Sequence, residues 1–373
     1  MKYRIVSIFI LIVSIAGVSL NAKPASSNLS QFWQLVDQGG ATNSYAWERI
    51  ASSQDGMNQT AVVKAYPSGT ASTDVGGNIY LSHDFGQSWK PSSMNFNVAW
   101  SSVAMSSNGK YQAAVAEGDC IYVSDNFGES FVKKTNTLAN WTSIAMSANG
   151  KYQTAVANSY DDTNNFSVGI YRSEDYGKSW KTNTFSFNSW QGVSVSADGR
   201  IQTAVSFKID GTMDLDGREG RIFNSYDYGR SWSPNTTIPV QHYTSSAMSA
   251  DGRIQVVGDQ NCNNAPADPG FIYISYDYGV HFTNVAGTAA NWLYFSVSND
   301  GRYMLGATYQ QVDTNNMPVP NTGGIYYSTN YGNTWALTDA PYNTWTSVQL
   351  AADGKIASAT AWGAGIYIKK RTP

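Results

Sequence analysis

The chain has 373 residues, with 24 Lys and Arg against 27 Asp and Glu and a formal net charge of −3. That balance has no basic stripe and no run of like charge, which excludes a nucleic-acid-binding surface. Two cysteines, Cys120 and Cys262, are too few for a disulfide scaffold. Both are read as free thiols, because they sit three repeat units apart and a disulfide needs its Cα atoms within about 7 Å.

The chain opens with charged Lys2 and Arg4, then an apolar stretch from Ile5 to Leu20, then Asn21 and Ala22. Residues 1–22 therefore read as a secretory signal peptide. Its removal makes the mature chain, residues 23–373, more acidic and leaves no segment able to span a membrane. Export to the periplasm, the cell surface or the medium follows. Next, Gln31–Leu35 reads as an isolated β-strand.

From there one pattern recurs. An aromatic residue starts each unit, at Trp47, Trp100, Trp141, Trp190, Tyr243, Trp292 and Trp345. A period of 41 to 53 residues marks a repeat architecture. Each unit contains four short β-type runs, here called strands a to d. In the second unit these are Trp100–Met105, Tyr111–Val115, Cys120–Ser124 and a run around Phe131. Asn108-Gly109 forms the tight a–b turn, a pair that tolerates the positive φ such turns require. The equivalent turns are Asp55-Gly56, Asn149-Gly150, Asp198-Gly199, Asp251-Gly252, Asp300-Gly301 and Asp353-Gly354. No helical period occurs after residue 22. Four-stranded antiparallel units repeated in this way predict an all-β, seven-bladed β-propeller in one domain. The seventh unit stops after its third strand, at Gly365–Ile368. The N-terminal strand, with Trp33 ahead of Trp47 much as Trp89 is ahead of Trp100, is the predicted fourth strand that closes the ring.

Between strands c and d runs a second motif, as in Ser82-x-Asp84-x-Gly86-x-Ser88-Trp89. It recurs at Ser173–Trp180 and Ser225–Trp232, and as Ser275–Phe282 with His281 at its seventh position. Asn126 and Asn330 replace Asp in the two remaining copies. This motif resembles the Asp box, or bacterial neuraminidase repeat, of sialidase-like, sortilin-like and xyloglucanase-like propellers. Its acidic position (Asp84, Asn126, Asp175, Asp227, Asp277 and Asn330) reads as structural: the side chain can bind nearby backbone N–H groups, and Asn serves that role as well as Asp. The resemblance implies a propeller fold but leaves function open.

Candidate site residues lie on the opposite face. The b–c loops are long in units 1, 3, 4, 5 and 6 and short in units 2 and 7, whereas the a–b turns never vary. The variable loops carry Asp74, Tyr160, Asp161, Asp162, Asp210, Asp214, Asp216, Asp259, Asp268, Tyr309 and Asp313. Variable loops on a rigid scaffold are where binding concentrates. The unit starts Trp47, Trp100, Trp141, Trp190, Tyr243, Trp292 and Trp345 share this end of the fold. They are read either as a ligand-binding ring at the channel mouth or as packing between blades. Glu48-Arg49, which follows Trp47, is a candidate polar anchor or an ion pair.

A sialidase-like catalyst would need three convergent arginines. Only Arg49, Arg218 and Arg221 are placed for such a site, and the last two are neighbours in one loop. His83, His242 and His281 are scattered and give no metal or Ser–His arrangement. No cofactor motif occurs. The expectation is a monomeric, exported, non-catalytic propeller that binds a glycan or a protein partner through its b–c loops. A glycoside hydrolase or an assembly factor is the alternative.

Overall fold

The structure is a computed structural model describing residues 32–36, 45–65, 77–93, 98–158, 168–183, 189–207, 220–260, 270–311, 317, 319 and 322–370. Every regular element among them is a β-strand. The predicted signal peptide, Cys262, Tyr160, Arg218 and most of the long b–c loops lie outside the described residues. Of the loop acids only Asp259 lies within them.

Each unit forms an antiparallel ladder in chain order. In unit 1 the strands are Trp47–Ser52, Gln59–Val63, Ile79–Ser82 and Lys90–Pro91. Strand a of every unit carries a β-bulge just after its aromatic residue, as between Trp47 and Arg49. A bulge bends a strand and re-aims the side chains beside it. Units 2 and 3 merge into an 8-stranded sheet. Strand b of unit 2 runs on to Asp119 because its b–c loop is short, and there it pairs with Ala139 and Asn140. In unit 7 the strand Gly365–Lys370 takes Gln34–Leu35 as its outer neighbour, with Gln34 opposite Ile368 and Leu35 opposite Tyr367.

The core is divided among the seams between units. The Ile of each Ile-Tyr pair points into the cluster built around the next unit's aromatic start. Ile79 joins Trp100, Ile121 joins Trp141, and Ile366 of unit 7 joins Trp47 of unit 1. The following aromatic packs inside its own unit. Trp47 meets Tyr80 edge-on at 5.0 Å, Trp141 meets Tyr171 at 4.8 Å and Trp345 meets Tyr367 at 5.1 Å. Such T-shaped pairs add to area burial because a ring's positive edge meets a negative face.

A second set of links runs through the a–b turns. Gln54 N donates to Ser107 O, and the same bond repeats through Ala148, Ala197, Ala250, Asn299 and Ala352. Ala352 N then returns to Gln54 O at 2.8 Å. The Asp-box turns lie beside this circuit, since Phe85 N donates to Met57 O and Tyr331 N to Arg302 O.

Candidate functional site

The Asp boxes are consumed by their own turns. Asp84 Oδ1 accepts from Ser82 Oγ at 2.8 Å and Ser88 N at 2.9 Å, and Oδ2 accepts from Ser88 Oγ at 2.6 Å. Gly86 N donates to Ser82 Oγ, and Trp89 Nε1 closes the turn on Gly86 O. Asn126 keeps the geometry with one proton reversed, because its Nδ2 donates to Ser130 Oγ at 3.0 Å. Phe85 sits at φ 63° and Gly86 at φ 78°. The left-handed region is costly for a bulky side chain. A Cβ at Gly86 would also meet Ile368 and Gln59 at 2.9 and 3.0 Å. Burial alone would raise the Asp84 carboxyl; the hydrogen bonds from Ser88, Ser82 and the backbone outweigh it and hold the group below its ordinary range. A carboxylate held ionised by three donors is a poor proton donor.

The aromatic starts present no ring to a ligand. Trp47, Trp100, Trp141, Trp190 and Tyr243 are wholly buried, and Trp292 and Trp345 are 1% exposed. This corrects the reading of a binding ring at the channel mouth. An indole at the head of strand a buries more apolar area in the seam, against its own unit's Tyr or Phe and the preceding unit's Ile, than it could at a rim. Several also spend their polar atom inside, as Trp100 Nε1 does on Gly77 O and Tyr243 OH on Pro239 O.

Glu48 and Arg49 diverge at their bulge. Arg49 crosses two seams: its Nη1 donates to Thr346 O of unit 7 at 2.7 Å, and its guanidinium lies over the Tyr294 ring of unit 6 at 4.0 Å. Cation–π stacking and a backbone carbonyl thus fix its plane. Burial raises the Glu48 carboxyl, while Lys64 and Arg49 draw it back down. Burial acts against the charge of Lys64, and Glu48 and Glu117 outweigh it and raise the group. Lys64 Nζ pairs with Glu117 Oε1 of unit 2 at 2.6 Å. Four charged side chains from units 1 and 2 therefore gather at the b–c end of strand a. The sequence pointed to Glu48-Arg49. It gave no sign of Lys64 and Glu117, which belong to strand-b ends separated by a whole unit.

Beside Arg49 lies a cavity of about 160 Å³ between the first strands. It is walled by Ser143, Gln191, Thr244, Ser245, Tyr294 and Ser347 among others, and among the described residues Arg49 is the one charged residue on it. A further space of about 210 Å³ continues toward the a–b turns past Ser194, Ser246 and Gln349. Of the other loop-face candidates, Asp259 is buried and accepts from Phe271 N, and Tyr309 N donates to Asn291 O. Arg221 lies in the same region as Asp259, since both act on the buried Tyr243. The described residues bring no second arginine to the cavity beside Arg49. No group of three or more potential metal ligands occurs among them.

Residues 170–183 match the model of the BNR-Asp box repeat. No curated protein matches the chain in sequence. Solved structures do match in fold. YCF48 bound to D1 peptide is 13% identical, over 95% of this chain and 99% of that one, with a TM-score of 0.59. YCF48 from Cyanidioschyzon merolae is 13% identical, over 91% and 98%, at 0.61. The Cps50 (Swd1) beta-propeller domain of Myceliophteria thermophila is 13% identical, over 91% and 100%, at 0.62. The chain thus carries a BNR-Asp box repeat, on an all-β fold similar to that of solved β-propellers.

Proposed function

We propose that the chain is a seven-bladed propeller, closed by Gln34–Leu35 as the outer strand of its last blade, and that it is an exported, non-catalytic module binding a protein segment through its b–c loop face. The circuit of hydrogen bonds from Gln54 back to Gln54 and the pairing of Leu35 with Tyr367 support the closed ring. The observation that carries the function is the contrast between the two faces. On one, the turns are satisfied locally by their own Asp or Asn, in most copies together with a Ser. On the other face, whose b–c loops differ in length along the sequence, lie the polar cavity beside Arg49 and the charged cluster of Lys64 and Glu117. A YCF48 structure of similar fold holds a peptide, which favours a protein partner. So does the burial of the seven rings that a sugar would have stacked on.

The test uses the mature chain on peptide and glycan arrays, with each long b–c loop replaced by the short one of unit 2. Loss of peptide binding on loop replacement, with retention when Lys151 and Arg253 on the turn face become Ala, is expected. Binding only to glycans, turnover of a fluorogenic glycoside, or indifference to the loops overturns the reading. Export is tested by fractionating cells that express the chain with and without residues 1–22.

A further inference from the structure

The geometry points to the cavity beside Arg49 as a carboxylate-binding subsite that receives an acidic residue of the bound protein segment. This rests on the loop-face reading above and names the chemistry at its centre. Arg49 is held from two sides: one N–H is spent on Thr346 O, one face of the guanidinium is covered by Tyr294, and the residue lines the cavity with donors still to spend. A guanidinium with its plane already fixed loses little freedom when a carboxylate docks, and it presents paired donors matched to the two oxygens.

The walls suit the same guest. Ser143 Oγ accepts from Val193 N, so its own hydrogen is left to donate. Gln191, Ser245 and Ser347 add polar side chains around the space, and among the described residues no wall residue is a carboxylate. Two nearby carboxylates, Glu48 and Glu117, bear first on Lys64. That lysine occupies the charges which would otherwise compete for Arg49. Tyr294 and Phe295 supply an apolar flank, which weakens solvent screening of the guanidinium. The volume, about 160 Å³, exceeds the roughly 30 Å³ share of a single water and admits a carboxyl group with its methylene.

The experiment titrates the isotope-labelled mature chain with acetyl-Ser-Glu-Ser-amide and with its isostere acetyl-Ser-Gln-Ser-amide. Side-chain resonances of Arg49 and amide resonances of Ser347 and Ser143 are followed by NMR. The glutamate peptide is expected to shift them and to bind at least tenfold more tightly than the glutamine peptide, an advantage lost in Arg49→Gln and partly kept in Arg49→Lys. Equal affinity for the two peptides, no shift at millimolar glutamate peptide, or an undiminished response in Arg49→Gln overturns the assignment. Should Arg49→Gln unfold, Ser347→Ala and Ser143→Ala carry the test, each expected to weaken the glutamate peptide alone. If loop replacement abolishes array binding while Arg49→Gln leaves it intact, the binding face stands and the carboxylate subsite falls.

Discussion

Thr60 Oγ1 donates to Gln112 Oε1 at 2.7 Å, from strand b of unit 1 to strand b of unit 2, with both side chains buried. The link recurs as Thr154 to Gln202, Thr203 to Gln255 and, across the chain's two ends, Ser358 to Gln59. Each of these glutamines also donates its amide to the glycine carbonyl of its own a–b turn. Where the donor is apolar the acceptor is usually apolar too: Val256 shares a core cluster with Met304, and Leu305 with Ala357. The exception is the seam between units 2 and 3. Ala113 stands at the donor position, and Gln153 Oε1 is left without a partner among the described residues. An unmet buried acceptor costs more than a made bond returns. Ala113→Thr is therefore expected to stabilise the fold by about 1 kcal/mol, read as a raised denaturation midpoint at constant m-value. Ala113→Val supplies the shape without the hydroxyl and should give no such gain. Thr60→Val, which removes a working donor, should cost about 1–3 kcal/mol.

The Asp boxes make a different prediction about chemistry. Asp84→Asn should be nearly neutral, because Asn126 and Asn330 already occupy the equivalent place and turn one proton around toward Ser130 and Thr334. Asp84→Ala leaves Ser82, Ser88 and the Ser88 amide without their acceptor. A loss of about 1–2 kcal/mol is expected, as for the removal of a helix cap. Thermal melts of the two variants separate the outcomes. Equal losses for Asn and Ala would show that the negative charge itself matters at this turn.

Acid stability follows from the same carboxylates. In Asp84, Asp175 and Asp227 burial acts to raise the group, yet bonds from the box serine and the backbone prevail; in Asp277 the His281 amide and ring do the same. The folded values lie below the ordinary 3.8. Their contribution is therefore fully present above the unfolded pKa and is lost as pH falls through the lower folded values. Denaturation midpoints should hold steady down to about pH 4 and decline beneath it. A chain with all four changed to Asn should show a flatter decline. An unchanged slope in that variant would assign acid lability to other groups.

Much of this architecture was legible because the repeat fixes local geometry. The Asp-Gly and Asn-Gly turns mark the a–b hairpins, and the Ile-Tyr pairs mark strand c. The ends of elements were less so: the strand-d runs begin one residue after the box aromatic, at Lys90 after Trp89 and Val132 after Phe131. An aromatic at the head of an inner strand suits a rim or a seam equally well by pattern. Only the packing of Trp47 on Tyr80 and Ile366 decides between them. The buried Gln–Thr links had a readable signal, since Gln recurs at the head of strand b in Gln59, Gln112, Gln153, Gln202 and Gln255, where an apolar residue would be the default. Arg49's partners had none. Tyr294 and Thr346 meet Arg49 from units 6 and 7, far along the chain from unit 1.

In the proposed ring, closure depends on a short N-terminal segment. Trp33 is 8% exposed and packs 6.4 Å from Trp345, while Val36 N donates to Ile366 O. Asp339 accepts from Trp33 N and from Lys369 Nζ, which ties the segment to units 6 and 7. Trp33→Ala removes a large buried ring and should cost about 3–5 kcal/mol. Deletion through Val36 goes further, since it strips the outer partner from Gly365–Lys370 and leaves an unpaired edge able to recruit another chain. The deleted protein should melt earlier and run as a dimer or larger species in size-exclusion chromatography with light scattering. A synthetic peptide covering residues 29–40 should restore the monomer by pairing in trans. If deletion leaves both the melting temperature and the monomer unchanged, Gln34–Leu35 is an ornament on the last unit, and closure must rest on the seam between Ile366 and Trp47 alone.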